Sequence, residues 1–217
     1  MRIELSIHPR AKAGLIAVSY SDFSLDQIKD QFGLDLIEDQ VLFPNDRIFP
    51  VSDLLKELME RYVPLAAWIN TEKARSEFII APILAELKWQ LKDRISLFSG
   101  VDFTVDAGAG LNGRCDYIIS QAREQLKVNA PVVMLVEAKN ENIISGIPQC
   151  LAEMIAAQRF NQARHNAIST VYGVVTTGSL WRFLKLDDTP QAFVDIKEYY
   201  IDNLSRIMGI LRETVGE

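Results

Sequence analysis

Histidine and cysteine are scarce in this chain: His8 and His165, Cys115 and Cys150, two of each in 217 residues. Two cysteines fit a reducing compartment and cannot form a metal knuckle by themselves. A zinc site or a nucleophile–histidine triad would have to recruit one of the two imidazoles, which argues against both chemistries. Long apolar runs are missing as well. None exceeds the five residues of Val132–Val136, whereas a bilayer-spanning helix needs roughly 20. The start, Met1-Arg2-Ile3-Glu4, carries charge where a secretory signal has its apolar stretch. These absences predict a soluble, cytoplasmic protein with no membrane partner.

An excess of positive charge is also lacking: 23 Lys and Arg stand against 29 Asp and Glu, a net charge of −6. The distribution matters more than the total. Residues 1–60 hold 6 basic and 11 acidic side chains, and residues 187–217 hold 3 and 7. The stretch between them, 61–186, is mildly basic. It could bind phosphates if a metal neutralised some of its acids.

The chain does have enough apolar residues, 48%, to build one sizeable core without staples. Residues 1–70 are expected to form an N-terminal extension, helical in part. Ser24 opens a short helix bearing Leu25, Ile28 and Phe32, which Gly33 stops. Ser52 caps a second, interrupted at Pro64. A stronger helix follows over 71–93, with Ile80, Ile83, Leu84, Leu87 and Leu91 as its apolar stripe and Pro82 as a bend. The period then changes to that of strands. Val101–Val105, Arg114–Ser120 and Val132–Val136 read as three strands, the last a buried central one. A helix over Pro148 to Arg164, strands over Thr170–Thr176 and Leu180–Leu186, and a C-terminal amphipathic helix complete the core, residues 71–217. The predicted class is α/β, a central mixed sheet flanked by helices.

Chemistry concentrates at the end of the most apolar strand, in Glu137-Ala138-Lys139. Strand period puts Glu137 and Lys139 on one face and Ala138 on the other. Charges at the end of a buried strand are costly unless paired, metal-bound or solvated at a cleft. Asp116, on the preceding strand, comes alongside Glu137 if the two strands pair antiparallel in a suitable register. Two adjacent carboxylates demand a cation, and oxygen ligands select Mg²⁺ or Mn²⁺ over zinc.

Asp116, then Glu137-x-Lys139 on the next strand, then a helix carrying Gln149, resembles the PD-(D/E)XK nuclease superfamily. The nuclease domain of type I restriction enzymes and RecB-like nucleases are the nearest likenesses. The likeness covers roughly residues 71–187, and the element order αβββαβ resembles the restriction endonuclease-like core. It implies that Asp116, Glu137 and the carbonyl of Ala138 bind Mg²⁺ or Mn²⁺, that Lys139 orients or activates the attacking water, and that DNA is the substrate. Cys115 stands where the motif's name has proline, and Glu153 stands where a Gln-x-x-x-Tyr version carries tyrosine. The superfamily often adds an acid from the first core helix. Glu77 is preferred over Glu86, because it falls on the buried stripe and Glu86 nearer the polar side. Gln149 would contact a phosphate or hold the lysine. Arg75, Lys88, Arg114, Arg123, Arg159 and Arg164 are candidate phosphate contacts.

Gly108-Ala109-Gly110-Leu111-Asn112-Gly113 matches a dinucleotide fingerprint, but a strand rather than a helix follows it, and Asn112-Gly113 reads as a hairpin turn. The C-terminal stripe is expected to pack on the chain's own sheet, with a homodimer as its other fate. The expectation is therefore a Mg²⁺-dependent DNA endonuclease. The alternative is a non-catalytic module that keeps the fold for binding nucleic acid or protein.

Overall fold

A computed structural model describes residues 18–45 and 47–216. Helix α1 (Leu25–Phe32) begins at Ser24, whose hydroxyl accepts from the Gln27 N–H while the Gln27 side chain accepts from the Ser24 N–H. This reciprocal cap and the left-handed Gly33 at φ 65 set both ends where local chemistry predicts them. Strand β1 (Asp35–Ile37) follows. Helix α2 (Asp53–Ile69), capped by Ser52, runs on through Pro64 without a break.

Thr71 caps α3 (Glu72–Arg75), which passes through a π-turn (Ser76–Ile80) into α4 (Ala81–Leu91). Pro82 accounts for the wide turn: it has no N–H to donate to the carbonyl four residues back, and its ring crowds that carbonyl. The expected stripe of Ile80, Ile83, Leu84, Leu87 and Leu91 is buried throughout. Truncating one of these leucines to alanine would cost about 2–5 kcal/mol.

The remaining elements are β2 (Ser96–Asp102), β3 (Arg114–Ser120), β4 (Val132–Ala138), α5 (Ile147–Ala163), β5 (Val171–Thr176), β6 (Leu180–Leu186), β7 (Gln191–Val194), β8 (Tyr199–Tyr200) and α6 (Leu204–Thr214). Seven strands run in the order β1-β7-β6-β5-β4-β3-β2, and β8 joins beside β6, giving a mixed eight-stranded sheet. β4 lies between antiparallel β3 and parallel β5. The N-terminal part contributes β1, paired parallel to β7, and packs Tyr20, Phe23 and Ile28 into the core.

Two apolar clusters are formed. One joins α2, the π-turn, α4 and α6 to the sheet; the other joins α1 and α5 to it. The C-terminal stripe thus meets its own sheet layer through Ile207, Met208 and Leu211. α5 comes very close to β5 because residue 173 is glycine: a Cβ there would collide with Met154 Sδ and lie 2.8 Å from Cys150 Sγ. The Gly108–Gly113 segment forms a short 3₁₀ turn and loop leading into β3, not a helix N-terminus. Among the described residues no helix is long and apolar enough to cross a membrane.

Candidate active site

Every residue of β4 is buried, so its last two positions carry Glu137 and Ala138 into the protein rather than to a frayed end. β3 and β4 pair with Tyr117 opposite Val136 and Ile118 opposite Leu135. The β3–β4 pairing ends at Tyr117 and Val136, one residue short of Asp116 and Glu137. Asp116 then takes over from the ladder: its Oδ2 accepts a hydrogen bond from the Ala138 N–H at 2.9 Å. Burial raises the Asp116 pKa above the usual carboxylate range, opposed by that hydrogen bond and by Lys139.

Glu137 is 2% exposed. Burial, reinforced by Asp116, pushes its carboxyl up to about 8, with Lys139 pulling the other way. Lys139 Nζ lies 2.5 Å from Glu137 Oε1, while Glu137 Oε2 is buried with no hydrogen-bond partner. Burial works against the lysine's charge, but Glu137 outweighs it, and the ammonium is held above its ordinary pKa. The lysine stem runs against Gly146, where a Cβ would sit 3.0 Å from Lys139 Cε and 3.1 Å from Cγ.

Helix α5 supplies the other contact. Gln149 Oε1 accepts from Lys139 Nζ at 3.2 Å, and Gln149 Nε2 donates to Glu153 Oε1 at 3.3 Å. Glu153 is fully buried, and burial together with Glu137 holds its carboxyl well above the usual range. Its Oε2 has no partner either.

Asp116 and Ala138 open into a cleft of about 310 Å³ whose opposite wall is Glu72, Lys73, Ser76 and Glu77. Tyr117 braces that wall, its hydroxyl 2.6 Å from Ser76 Oγ and donating to the Ser76 carbonyl at 3.0 Å. The expected burial of the two helix acids is reversed. The Glu77 side chain is 54% exposed and pairs with Lys73 at 2.6 Å. Glu86 is the buried one: it accepts from the Ser52 N–H and hydroxyl, both at 2.9 Å, and from Gln90 at 2.8 Å. The extra residue of the π-turn rotates Glu77 out of the phase that a regular helix would give it, whereas Glu86 is buried because the start of α2 lies on it through Ser52. Glu77 therefore reaches the cleft from an exposed position, and Glu86 serves as a cap for α2.

Of the six candidate phosphate contacts, Arg114 touches a residue of the cleft wall and Arg75 stands next in the chain to Ser76 on that wall. Arg75 binds Asn140 and the Thr177 carbonyl, and Arg114 binds the carbonyl of Gly100, which lines the cleft. The other four are engaged by groups away from it: Lys88 by Lys92, Arg123 by Asp93, Arg159 by Asp106, and Arg164 by the Phe160 ring. Sequence reasoning missed Glu72 on the cleft wall and the burial of Glu153. Only the four-residue spacing between Gln149 and Glu153 hinted at the latter.

Among the described residues, no three His, Cys, Asp or Glu side chains gather closely enough to hold an ion by themselves. Mg²⁺ does not require such a cage, because it keeps several waters and takes one or two carboxylates. Asp116 and Glu137, with the orphaned Glu137 Oε2, suit that pattern. No model of a known protein family matches the chain, and no curated protein matches it.

Proposed function

We propose that this chain is a metal-dependent nuclease of restriction endonuclease-like fold that hydrolyses phosphodiester bonds in DNA. The observation that carries the reading is the Asp116 carboxylate on the Ala138 N–H, directly beside Glu137, whose own carboxylate binds the Lys139 ammonium. The strand–strand–helix order β3, β4, α5 and the mixed sheet around it support the fold assignment.

Asp116, Glu137, the Ala138 carbonyl and, from the opposite wall, Glu77 would hold Mg²⁺ or Mn²⁺. When bound, the ion lowers the pKa of a coordinated water and neutralises charge on the phosphate. The protein's own share is positional. An ammonium has three N–H donors. Glu137 and Gln149 occupy two on Lys139, which leaves one for the attacking water or a non-bridging phosphate oxygen. Because its pKa is raised, Lys139 acts as a donor and counter-charge rather than as a base. Gln149 and Gly146 fix its direction. Lys73 on the cleft wall and Arg114 on the Gly100 carbonyl provide positive charge for the backbone of the substrate.

The test is cleavage of plasmid and single-stranded DNA with Mg²⁺ or Mn²⁺, with Glu137→Ala and Lys139→Ala as controls. Cleavage that both variants retain would eliminate this site. One observation favours the non-catalytic alternative: Lys139 already satisfies Glu137 Oε1, and among the described residues no third acid joins the pair closely enough to complete a metal-holding group. Calorimetry separates the two readings. A Mn²⁺ heat that disappears in Asp116→Ala supports the nuclease; no heat in either protein supports the binding module.

A further inference from the structure

We propose that Glu153 is a positioning residue of this site: its buried carboxyl orients the Gln149 amide, and through that amide it holds the Lys139 ammonium against Glu137. The inference rests on the reading of Lys139 as part of the site and adds a residue behind it.

Glu153 is an acid in a largely apolar stretch of α5. It is fully buried, and among the described residues no basic side chain pairs with it and one of its oxygens has no hydrogen-bond partner. A carboxyl in that position is costly, and an apolar residue would pack there without the penalty. Its one side-chain hydrogen bond is the acceptor contact from Gln149 Nε2. Gln149 stands four residues earlier, on the same face of the helix.

That contact decides which way the amide points. A primary amide presents a carbonyl on one side and N–H donors on the other. With the nitrogen toward Glu153, the carbonyl faces Lys139 and accepts from it at 3.2 Å. Flipped, the amide would turn N–H donors toward an ammonium that can only donate, and a carbonyl toward the Glu153 oxygen. Glu153 and Lys139 therefore favour the same orientation, the one that gives Lys139 a second acceptor, and Glu153 anchors the far side of the amide in it. With Glu137 as the first, the ammonium is fixed from two directions while Gly146 confines its stem.

The experiment reads the lysine itself. Reductive methylation of Lys139 in the full-length protein, followed by mass spectrometry, measures how tightly its amine is held whether or not the protein cuts DNA. Glu153→Met keeps the bulk and removes the acceptor; it should raise the Lys139 modification rate by about fivefold, the effect of one ordinary hydrogen bond. Glu153→Gln keeps a carbonyl acceptor and should stay near the wild-type rate. In a Gln149→Ala background, Glu153→Met should add nothing further, since the relay is already cut. In Mn²⁺-supported cleavage, Glu153→Met should lower kcat with little change in KM for DNA.

An unchanged Lys139 rate in folded Glu153→Met overturns the proposal, as does a Glu153→Gln rate that rises with it. If Glu153→Met does not fold, Gln149→Ala must raise the rate alone, and no rise there overturns the proposal too. A wild-type protein that never cleaves DNA yet shows this pattern of rates sinks the nuclease reading and leaves the relay standing.

Discussion

The Asp116 carboxylate accepts its hydrogen bond from the backbone N–H of Ala138, the residue between Glu137 and Lys139. A side chain thus finishes the β3–β4 ladder where a backbone carbonyl would ordinarily do so, and an acid is fixed beside a second acid that is almost wholly buried. The arrangement stores repulsion that a divalent cation would relieve.

Asp116→Asn separates these two roles. The amide retains an oxygen to accept from Ala138, so the ladder end survives, but the charge facing Glu137 is gone. Unfolding in urea without metal should show the variant equal to or about 1 kcal/mol more stable than wild type. Cleavage should fall by about 10²-fold or more. A variant that loses stability and keeps activity would contradict the assignment of Asp116 to the ion.

The pH dependence of stability follows from Glu137. Its carboxyl is held up at about 8 in the folded protein, against an ordinary value of 4.5. Between those values the folded form keeps a proton that the unfolded chain releases. Stability of the metal-free protein therefore falls as pH rises from 5 to 8, by at most about 1.4 kcal/mol per unit from this group. Glu153, shifted in the same direction, steepens the fall. Urea titrations in EDTA at four pH values measure the slope, and Glu137→Gln should flatten it. Mn²⁺ must displace the proton, so its affinity should rise over the same range.

Much of this was legible in the sequence, for reasons that can be named. β3 and β6 lie where the alternation predicts, and β4 and α5 start within one residue of expectation. The acidic end of β4 was visible because charges directly follow an apolar run. β1, β7 and β8, of three, four and two residues, are too short to show a period, and they exist through pairing with distant strands. β2 runs Ser96–Asp102 and shares only Val101 and Asp102 with the expected Val101–Val105, because its extent is set by pairing with β3, which ends at Asp102 and Arg114. Glu153 stayed hidden because α5 is buried on nearly every side from Cys150 to Ala157. Such a helix has no polar face against which a buried acid stands out.

Glu77 and Glu86 offer a paired test of which helix acid serves the cleft. Glu86→Ala leaves the Ser52 N–H and hydroxyl without their acceptor at the start of α2, and should cost about 1–3 kcal/mol in urea unfolding. Cleavage per folded molecule should be unchanged. Glu77→Gln removes an exposed ion pair and should alter stability by less than about 1 kcal/mol. Its effect should appear as weaker Mn²⁺ activation of cleavage. The opposite assignment, with Glu86→Ala abolishing metal response, would place the helix acid on the wrong residue.

Gly146→Ala probes the lysine without removing any charged group. The new methyl would lie 2.7 Å from Val175 Cγ1, closer than real carbon contacts allow, and 3.0 Å from Lys139 Cε, a tight contact. Val175 is anchored in β5 between two paired strands and has little room to retreat. The lysine stem is flexible and its side chain is partly exposed, so the displacement falls mainly on Lys139. Part of the clash remains as strain, and the variant should lose about 1–3 kcal/mol of stability. The larger consequence is for chemistry, because a shift of about 1 Å in a positioned group can cost 10²-fold in rate. Cleavage should therefore fall far more than stability does, while Mn²⁺ binding, which the proposed site assigns to Asp116 and Glu137, should persist in calorimetry. Loss of Mn²⁺ binding in step with activity would instead show that Gly146 shapes the acids and not the ammonium.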